Sequence, residues 1–204
     1  MPNPTFFHLS EAKRQRLMDA VWQEFTTNSY MDASINRIIQ TAEISRGSFY
    51  QYFAGKPDVF AYVLQTILDT AKNMFTAQLT VHSNDLFAAI LGMYELILWK
   101  KTHARWNQTM DRIQSLLQLN AELDMTQFTE QLDRKAMEDN IAALLNQSGY
   151  HLDSSLERQA LIHMLVSVGL SNLGDTLRHP QNEAHNHQLL ETQLTMIRRS
   201  LERA

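Results

Sequence analysis

Apolar residues recur along this chain at the three- and four-residue spacing of a helix, in one segment after another. Leu17, Met18, Val21, Trp22 and Phe25 form the first such face, behind Ser10 as N-cap and Glu11 in the favourable first turn. "TTNSYMDAS" breaks the pattern. Ser34 is then placed to cap a short helix whose Ile35, Ile38, Ile39 and Ala42 fall at i, i+3, i+4 and i+7. After the joint "AEIS", Ser45 caps a third short helix running to about Phe53. "AGKPD" interrupts again, with Pro57 where a helix start tolerates it. A long fourth helix follows, with Phe60, Val63, Leu64, Ile67, Leu68, Ala71 and Phe75 on one face.

Beyond residue 80 the predicted helices lengthen. "SND" at 83–85 caps a helix bearing Phe87, Leu91, Tyr94 and Leu98, which ends in the cationic "KKTHAR". Trp106, Met110, Ile113 and Leu117 mark a sixth helix, and a seventh runs from about Asp124 to Gln147, stopped by Gly149. "SSLE" at 154–157 is a capping box. The helix behind it is apolar on two faces: Leu161, Met164, Leu165 and Val168 on one, Ile162, Val166, Gly169 and Leu173 on the other. His179-Pro180 closes it, and a ninth helix carries Leu190, Leu194, Ile197 and Leu201. The fold expected is all-α.

Composition agrees. Of 204 residues 44% are apolar, enough for a proper core, while only 6 glycines and 4 prolines punctuate the chain. There is no cysteine, which excludes disulfides and thiolate metal sites. No apolar run approaches the roughly 18 residues of a membrane span, and "MPNPTFFHLS" lacks the basic start and apolar core of a signal peptide. The expected location is cytoplasmic. A net charge of −4 argues weakly against nucleic acid, but residues 1–80 are neutral and the rest of the chain carries the whole excess. A site-specific DNA binder needs cations at its contact face rather than a basic average.

Two short helices, joined tightly and clasped by longer ones, form a helix-turn-helix pattern. On the third helix Phe49 and Phe53 lie one turn apart and can face inward. Arg46, Gly47, Ser48, Tyr50 and Gln51 then point largely the other way, with Tyr52 toward one edge. That outer face suits a DNA groove: arginine for guanine, glutamine for adenine, serine for either, tyrosine hydroxyls for phosphate, and a glycine for close backbone approach. Periodicity alone equally allows an ordinary helical hairpin with a solvated polar face.

Residues 10 to about 65 resemble the DNA-binding domain of the TetR family of transcriptional regulators. The resemblance is carried by "AVWQEF" at 20–25, "SINRIIQTAEIS" at 34–45, "GSFYQYF" at 47–53 and "KPDVF" at 56–60. Two positions depart from the family pattern: Glu43 stands in the joint where glycine is usual, and Asn28 replaces a glycine common after the first helix. The resemblance implies that residues 1–56 are a helix-turn-helix DNA-binding domain. Residues 57–204 would be a helical effector-binding and dimerisation domain, with the fourth helix as connector. It further implies phosphate contacts from Ser34 and from Tyr50 or Tyr52, supported by Lys56, and a base-facing set of Asn36, Arg46, Gly47, Ser48 and Gln51. The partners implied are double-stranded DNA bearing a near-palindromic operator, a second copy of the chain, and a small-molecule effector that releases a repressor from that operator.

A homodimer is also expected from the residues themselves. A helix apolar on two faces needs two partners, so Ile162, Val166, Gly169 and Leu173, with Leu190, Leu194 and Ile197 of the last helix, are expected to build a four-helix bundle across a twofold axis. Tyr94, Trp99, Trp106, Met110, Phe128, Met137 and His163 are the candidate pocket residues; such a stripe is usually core, and an apolar or aromatic effector suits it better than an anionic one. His179, His185 and His187 near Glu183 lack the spacing of a helical metal pair, so neither metal nor cofactor is expected. No glycine-rich phosphate loop, HExxH or nucleophile elbow is present, which disfavours an enzyme. The alternative kept open is a helical protein-interaction module without sequence-specific DNA binding.

Overall fold

The computed structural model describes residues 2–101, 104–123, 143–145, 150, 152 and 154–202. Among these every regular element is helical. They are α1 (Pro4–Phe7), α2 (Glu11–Thr27), α3 (Ile35–Ala42), α4 (Arg46–Tyr52), α5 (Lys56–Val81), α6 (Leu86–Lys101), α7 (Ala104–Leu119), α8 (Ser155–Arg178) and α9 (Glu183–Glu202), with a 3-10 turn at Pro180–Asn182. The seventh helix expected over 124–147 falls mostly outside the described residues. Two compact units emerge, residues 1–71 with 100–132, and residues 72–99 with 133–204. They do not divide at 56/57, because α5 and α6 contribute to both and α7 joins the first.

The first unit has one core. Phe6, Leu17, Val21, Phe25, Ile38, Ala42, Phe49, Phe53, Val59, Phe60, Val63 and Leu116 are fully buried in it or nearly so. Phe6 belongs to α1, a one-turn helix with no counterpart in the sequence-derived elements. Asn120 closes the far side: its Oδ1 accepts the Tyr30 N–H at 2.7 Å and its Nδ2 donates to the Leu116 carbonyl at 2.8 Å.

The second unit packs α8 on α9 around Leu86, Phe87, Tyr94, Leu145, Leu161, Leu165, Leu190 and Leu194. Its elements start where the sequence says they should. Asp85 Oδ1 accepts the Phe87 and Ala88 N–H groups at the head of α6, and Ser154 with Glu157 forms the capping box of α8 at 3.1 and 3.0 Å. Between α8 and α9 lies a buried polar cluster: Tyr94 Oη meets Thr176 Oγ1 at 2.8 Å, Asn186 Nδ2 donates to Thr176 Oγ1 and Asp175 Oδ2, and Asn172 Nδ2 donates to Gln193 Oε1.

Two sequence expectations need correction here. The 24-residue α8 contains an 18-residue window of mean hydropathy 1.2, long and apolar enough to cross a membrane by length and composition alone. Its inward face matches the expected one only in part: Leu161 and Leu165 are buried together, but Ile162, Asn172 and Thr176 are buried with them against the chain's own helices. Ile162, Leu190 and Leu194 are therefore internal core and cannot form a surface, while Leu173 and Ile197 pack half-buried against the same cluster. What remains open is the other side, where Leu156, Met164, Leu170 and the expected Val166 on α8 and Met196 on α9 are exposed.

Candidate nucleic-acid interface

Helix α4 is built to show one face. Phe49 and Phe53, one turn apart, are completely buried, with ring centroids 5.7 Å from each other. Arg46, Gly47, Tyr50 and Gln51 are exposed, and Ser48 and Tyr52 are half-buried at the edges. Ser45 caps the helix, its Oγ accepting the Ser48 N–H at 3.0 Å. This costs Ser48 some freedom, since its own hydroxyl lies 2.8 Å from Ser45 Oγ. A Cβ added at Gly47 would meet nothing closer than 3.8 Å, so this glycine faces open space where another molecule can approach the backbone.

Arg46 is pre-set rather than free. Its Nη1 donates to Asn36 Oδ1 at 3.3 Å, across from α3, and its guanidinium lies 5.7 Å from the Tyr50 ring centre. Holding a planar fork over an aromatic ring lowers the entropy lost when it binds a base edge. Asn36, Arg46 and Tyr50 thus form one connected group on the exposed side, with Gln51 beside them on the same short helix.

The angle between α3 and α4 is set by the turn joining them. α3 ends in a Schellman arrangement: the Glu43 N–H bonds the Gln40 carbonyl and the Ile44 N–H the Ile39 carbonyl, both at 3.2 Å. This requires a left-handed residue, and Glu43 takes that conformation at φ 52° and ψ 45°. The substitution for glycine has kept the turn geometry and stored backbone strain in it. Asn28 behaves differently. Its backbone is extended at φ −127°, so no left-handed cap exists there.

Two further anchors hold the helix pair, and neither was visible as such in the sequence. Glu24, nearly fully buried, accepts from the Ser34 backbone N–H at 2.8 Å and from Arg37 Nε and Nη2 at 3.0 and 2.6 Å. Arg37 Nη2 also donates to the Asp32 carbonyl. The α2–α3 crossing is therefore pinned by a charged knot inside an apolar stripe. Ser34 occupies the N-cap position of α3, but its side chain makes no cap bond, and Glu24 instead accepts its backbone N–H. The same holds at Ser10, which makes no side-chain cap bond to α2.

Lys56 is the second anchor. Its Nζ donates to the Met31 and Ala33 carbonyls at 3.0 and 3.1 Å and lies 4.8 Å from the centre of the Tyr30 ring. The ammonium expected to support phosphate binding is engaged in tying the α2–α3 loop to the head of α5. Asp58 Oδ2, accepting the Ala54 N–H at 2.9 Å, steadies the same corner.

Residues 17–63 match the family model for bacterial regulatory proteins of the tetR family. This stretch of the chain, which contains α3, α4 and most of α2, is therefore similar to the DNA-binding domain of that family. Among curated TetR-type relatives, it is 31% identical over 71 residues to the HTH-type transcriptional regulator HbdR of Aromatoleum sp. (strain CIB), covering 35% of this chain and 31% of that protein. It is 32% identical over 72 residues to the HTH-type transcriptional regulator SrpR of Pseudomonas putida, covering 35% of this chain and 34% of that one. The chain thus spans about a third of the length of these two relatives. In fold it is similar to the fatty acid degradation regulator FadR of Bacillus halodurans, with a TM-score of 0.59, 19% identity and coverage of 90% and 96% of the two chains. That likeness is one of fold: among the described residues the chain is all-helical, with the helix-turn-helix toward its N-terminus and further helices behind it.

The candidate pocket residues do not come together among the described residues. Tyr94 is buried with its hydroxyl bonded to Thr176, Trp99 is exposed, and His163 sits on the open face of α8. The side chains of Trp106 and Met110 lie outside the described residues, as do Phe128 and Met137 entirely. Among the described residues, hollows lie elsewhere. One is an open groove of about 590 Å³ between α8 and α9, lined by Ala160, His163, Met164, Ser167, Gln193 and Met196 among others. The other, about 190 Å³, lies within the first unit against Trp22, Thr66, Thr70 and Arg112, and is smaller than the roughly 300 Å³ lower bound for a drug-sized ligand.

Proposed function

We propose that this protein is a non-enzymatic, cytoplasmic transcriptional regulator that reads DNA with the exposed face of α4. The observation carrying this reading is the connected group Asn36–Arg46–Tyr50 held on a helix whose other side is fully buried. Arg46 and Gln51 carry the base-specific donors; Ser34, Ser48, Tyr50 and Tyr52 supply phosphate and edge contacts; Gly47 allows close approach. Lys56 orders the domain rather than touching DNA. Functionally, residues 1–56 form the reading domain and the remainder the effector and dimerisation domain, with α5 as connector.

The regulator acts as a homodimer, joined through the open face of α8 and α9. Leu156, Met164, Leu170 and Met196, with the 590 Å³ groove between the helices, present an apolar surface that a second copy of the same hairpin would cover. This also accounts for the hydropathy of α8 without a membrane. Two reading helices related by a twofold axis call for a near-palindromic site, with half-sites about 34–36 Å apart or a multiple of that turn. Release by a small-molecule effector, and repression as the outcome, are the family's habit extended to this chain.

The test is selection of duplexes from a random pool by the purified protein, followed by salt titration of the selected sequence. Enrichment of a palindrome bound by two chains supports the reading. Failure to retain any duplex at low salt, with capture of a protein partner instead, would replace it with the interaction-module alternative.

A further inference from the structure

Helix α4 has seven residues, and helices below about 12–15 residues are marginal by themselves. Its first turn is closed by Ser45. Its last carbonyls have no N–H donors within the helix and must be satisfied from elsewhere. The segment ahead of α2 does this. The Asn3 backbone N–H donates to the Tyr52 carbonyl at 2.8 Å, Asn3 Nδ2 to the Gln51 carbonyl at 3.2 Å, and Thr5 Oγ1 to that same carbonyl at 2.6 Å. Phe6 anchors the segment from within the core, its ring centroid 5.1 Å from Phe53, 5.2 Å from Tyr62 and 6.5 Å from Tyr52. Pro2 is buried as well.

We infer that Asn3 and Thr5 are positioning residues for DNA recognition, forming with Phe6 a strap that fixes the last turn of α4. The inference rests on α4 being the reading helix. Gln51 is the residue whose carbonyl receives both side-chain donors, and its amide side chain is one of the two base-reading groups. Without the strap this turn frays, and the reader must be ordered again at each binding event, which costs conformational entropy. Only contacts that need a defined side-chain position suffer. General attraction to phosphates does not, because it depends on charge rather than on register. The strap therefore tunes specificity without supplying a contact of its own.

Thr5→Val tests this, since it keeps shape at an exposed position and removes the donor, while Thr5→Ser keeps the donor. Three quantities are measured on the full chain: amide exchange at Tyr52 and Phe53, affinity for the duplex selected by the wild type, and affinity for a scrambled duplex. Thr5→Val is expected to exchange several-fold faster at those amides and to lose roughly fivefold in affinity on the selected duplex, one hydrogen bond's worth. On the scrambled duplex it should match the wild type, and Thr5→Ser should restore all three values. Equal losses on both duplexes would overturn the inference by marking a phosphate contact or a general loss of folding. So would a Thr5→Val, Asn3→Ala double variant with wild-type exchange and affinity. If the wild type selects no duplex at all, the reading of α4 fails first and the inference falls with it.

Discussion

Replacing Glu43 with glycine should stabilise the protein, although it deletes an ion pair. In the left-handed region a residue with a Cβ is disfavoured by about 1–2 kcal/mol, and Glu43 sits there at φ 52°. The Arg16–Glu43 pair spans 3.4 Å with side chains 48% and 75% exposed, so water screens it and its contribution is at most a few tenths of a kcal/mol. Glycine's greater freedom in the unfolded chain takes back part of the relieved strain. The balance is a gain of about 0.5–1 kcal/mol. Glu43→Ala separates the effects, because it loses the ion pair and keeps the strain; it should fall a few tenths below wild type. Urea titration followed by far-UV circular dichroism gives the order Gly, Glu, Ala in midpoint at constant slope. A Glu43→Gly midpoint at or below that of Glu43→Ala would show that the turn holds no strain for glycine to relieve.

Glu24→Ala should cost about 2–3 kcal/mol, less than a fully buried pair because Arg37 is half-exposed and can reach water, and calorimetry on the full chain reads it. Arg46→Ala should lose about 1–3 kcal/mol on a selected duplex and relax one position of each half-site, whereas Lys56→Met should lower the melting temperature and leave the salt slope of DNA binding unchanged. Met164→Glu with Leu170→Glu should give a folded monomer by light scattering, while Ile162→Glu should unfold the second unit instead. Burial raises the Asp85 carboxyl, but its bonds from Ala88 and Phe87 N–H and its pair with Arg198 outweigh this and hold it below its ordinary 3.8. Its contribution is therefore complete above pH 3.8 and lost as pH falls through the lower folded value, so Asp85→Asn should flatten acid unfolding in that window.

Helix positions and the exposed side of α4 were legible because both follow from periodicity and caps. Phe49 and Phe53 at one-turn spacing could only share a face, and Ser45 and Asp85 cap as expected. The N-terminal strap was missed because four residues carry no period; the readable signal was Asn3 followed by Pro4, a cap and a proline start. Glu24 was announced by an acid inside the stripe of Val21, Trp22 and Phe25, but its partners lie 10 and 13 residues away across a turn. Lys56 reads as a phosphate ligand, and nothing in sequence shows that its ammonium meets the Met31 and Ala33 carbonyls. The two faces of α8 were hard to separate because both are apolar: Leu161 and Leu165 do turn inward and Val166 outward, but Ile162 is buried and Met164 exposed. The buried Asn172 and Thr176, polar residues inside the helix, mark the inward side.

Those two residues have a mechanical consequence. Asn172, Thr176, Asn186 and Gln193 interlock like index pins between α8 and α9. A slip of one helix by a single turn, about 5.4 Å, would strand several buried donors and acceptors, each at about 1–3 kcal/mol. Apolar side chains alone would allow such sliding at little cost. The hairpin is thus geared in one register, and any displacement delivered to either helix is passed on as rotation or translation of the pair as one rigid piece.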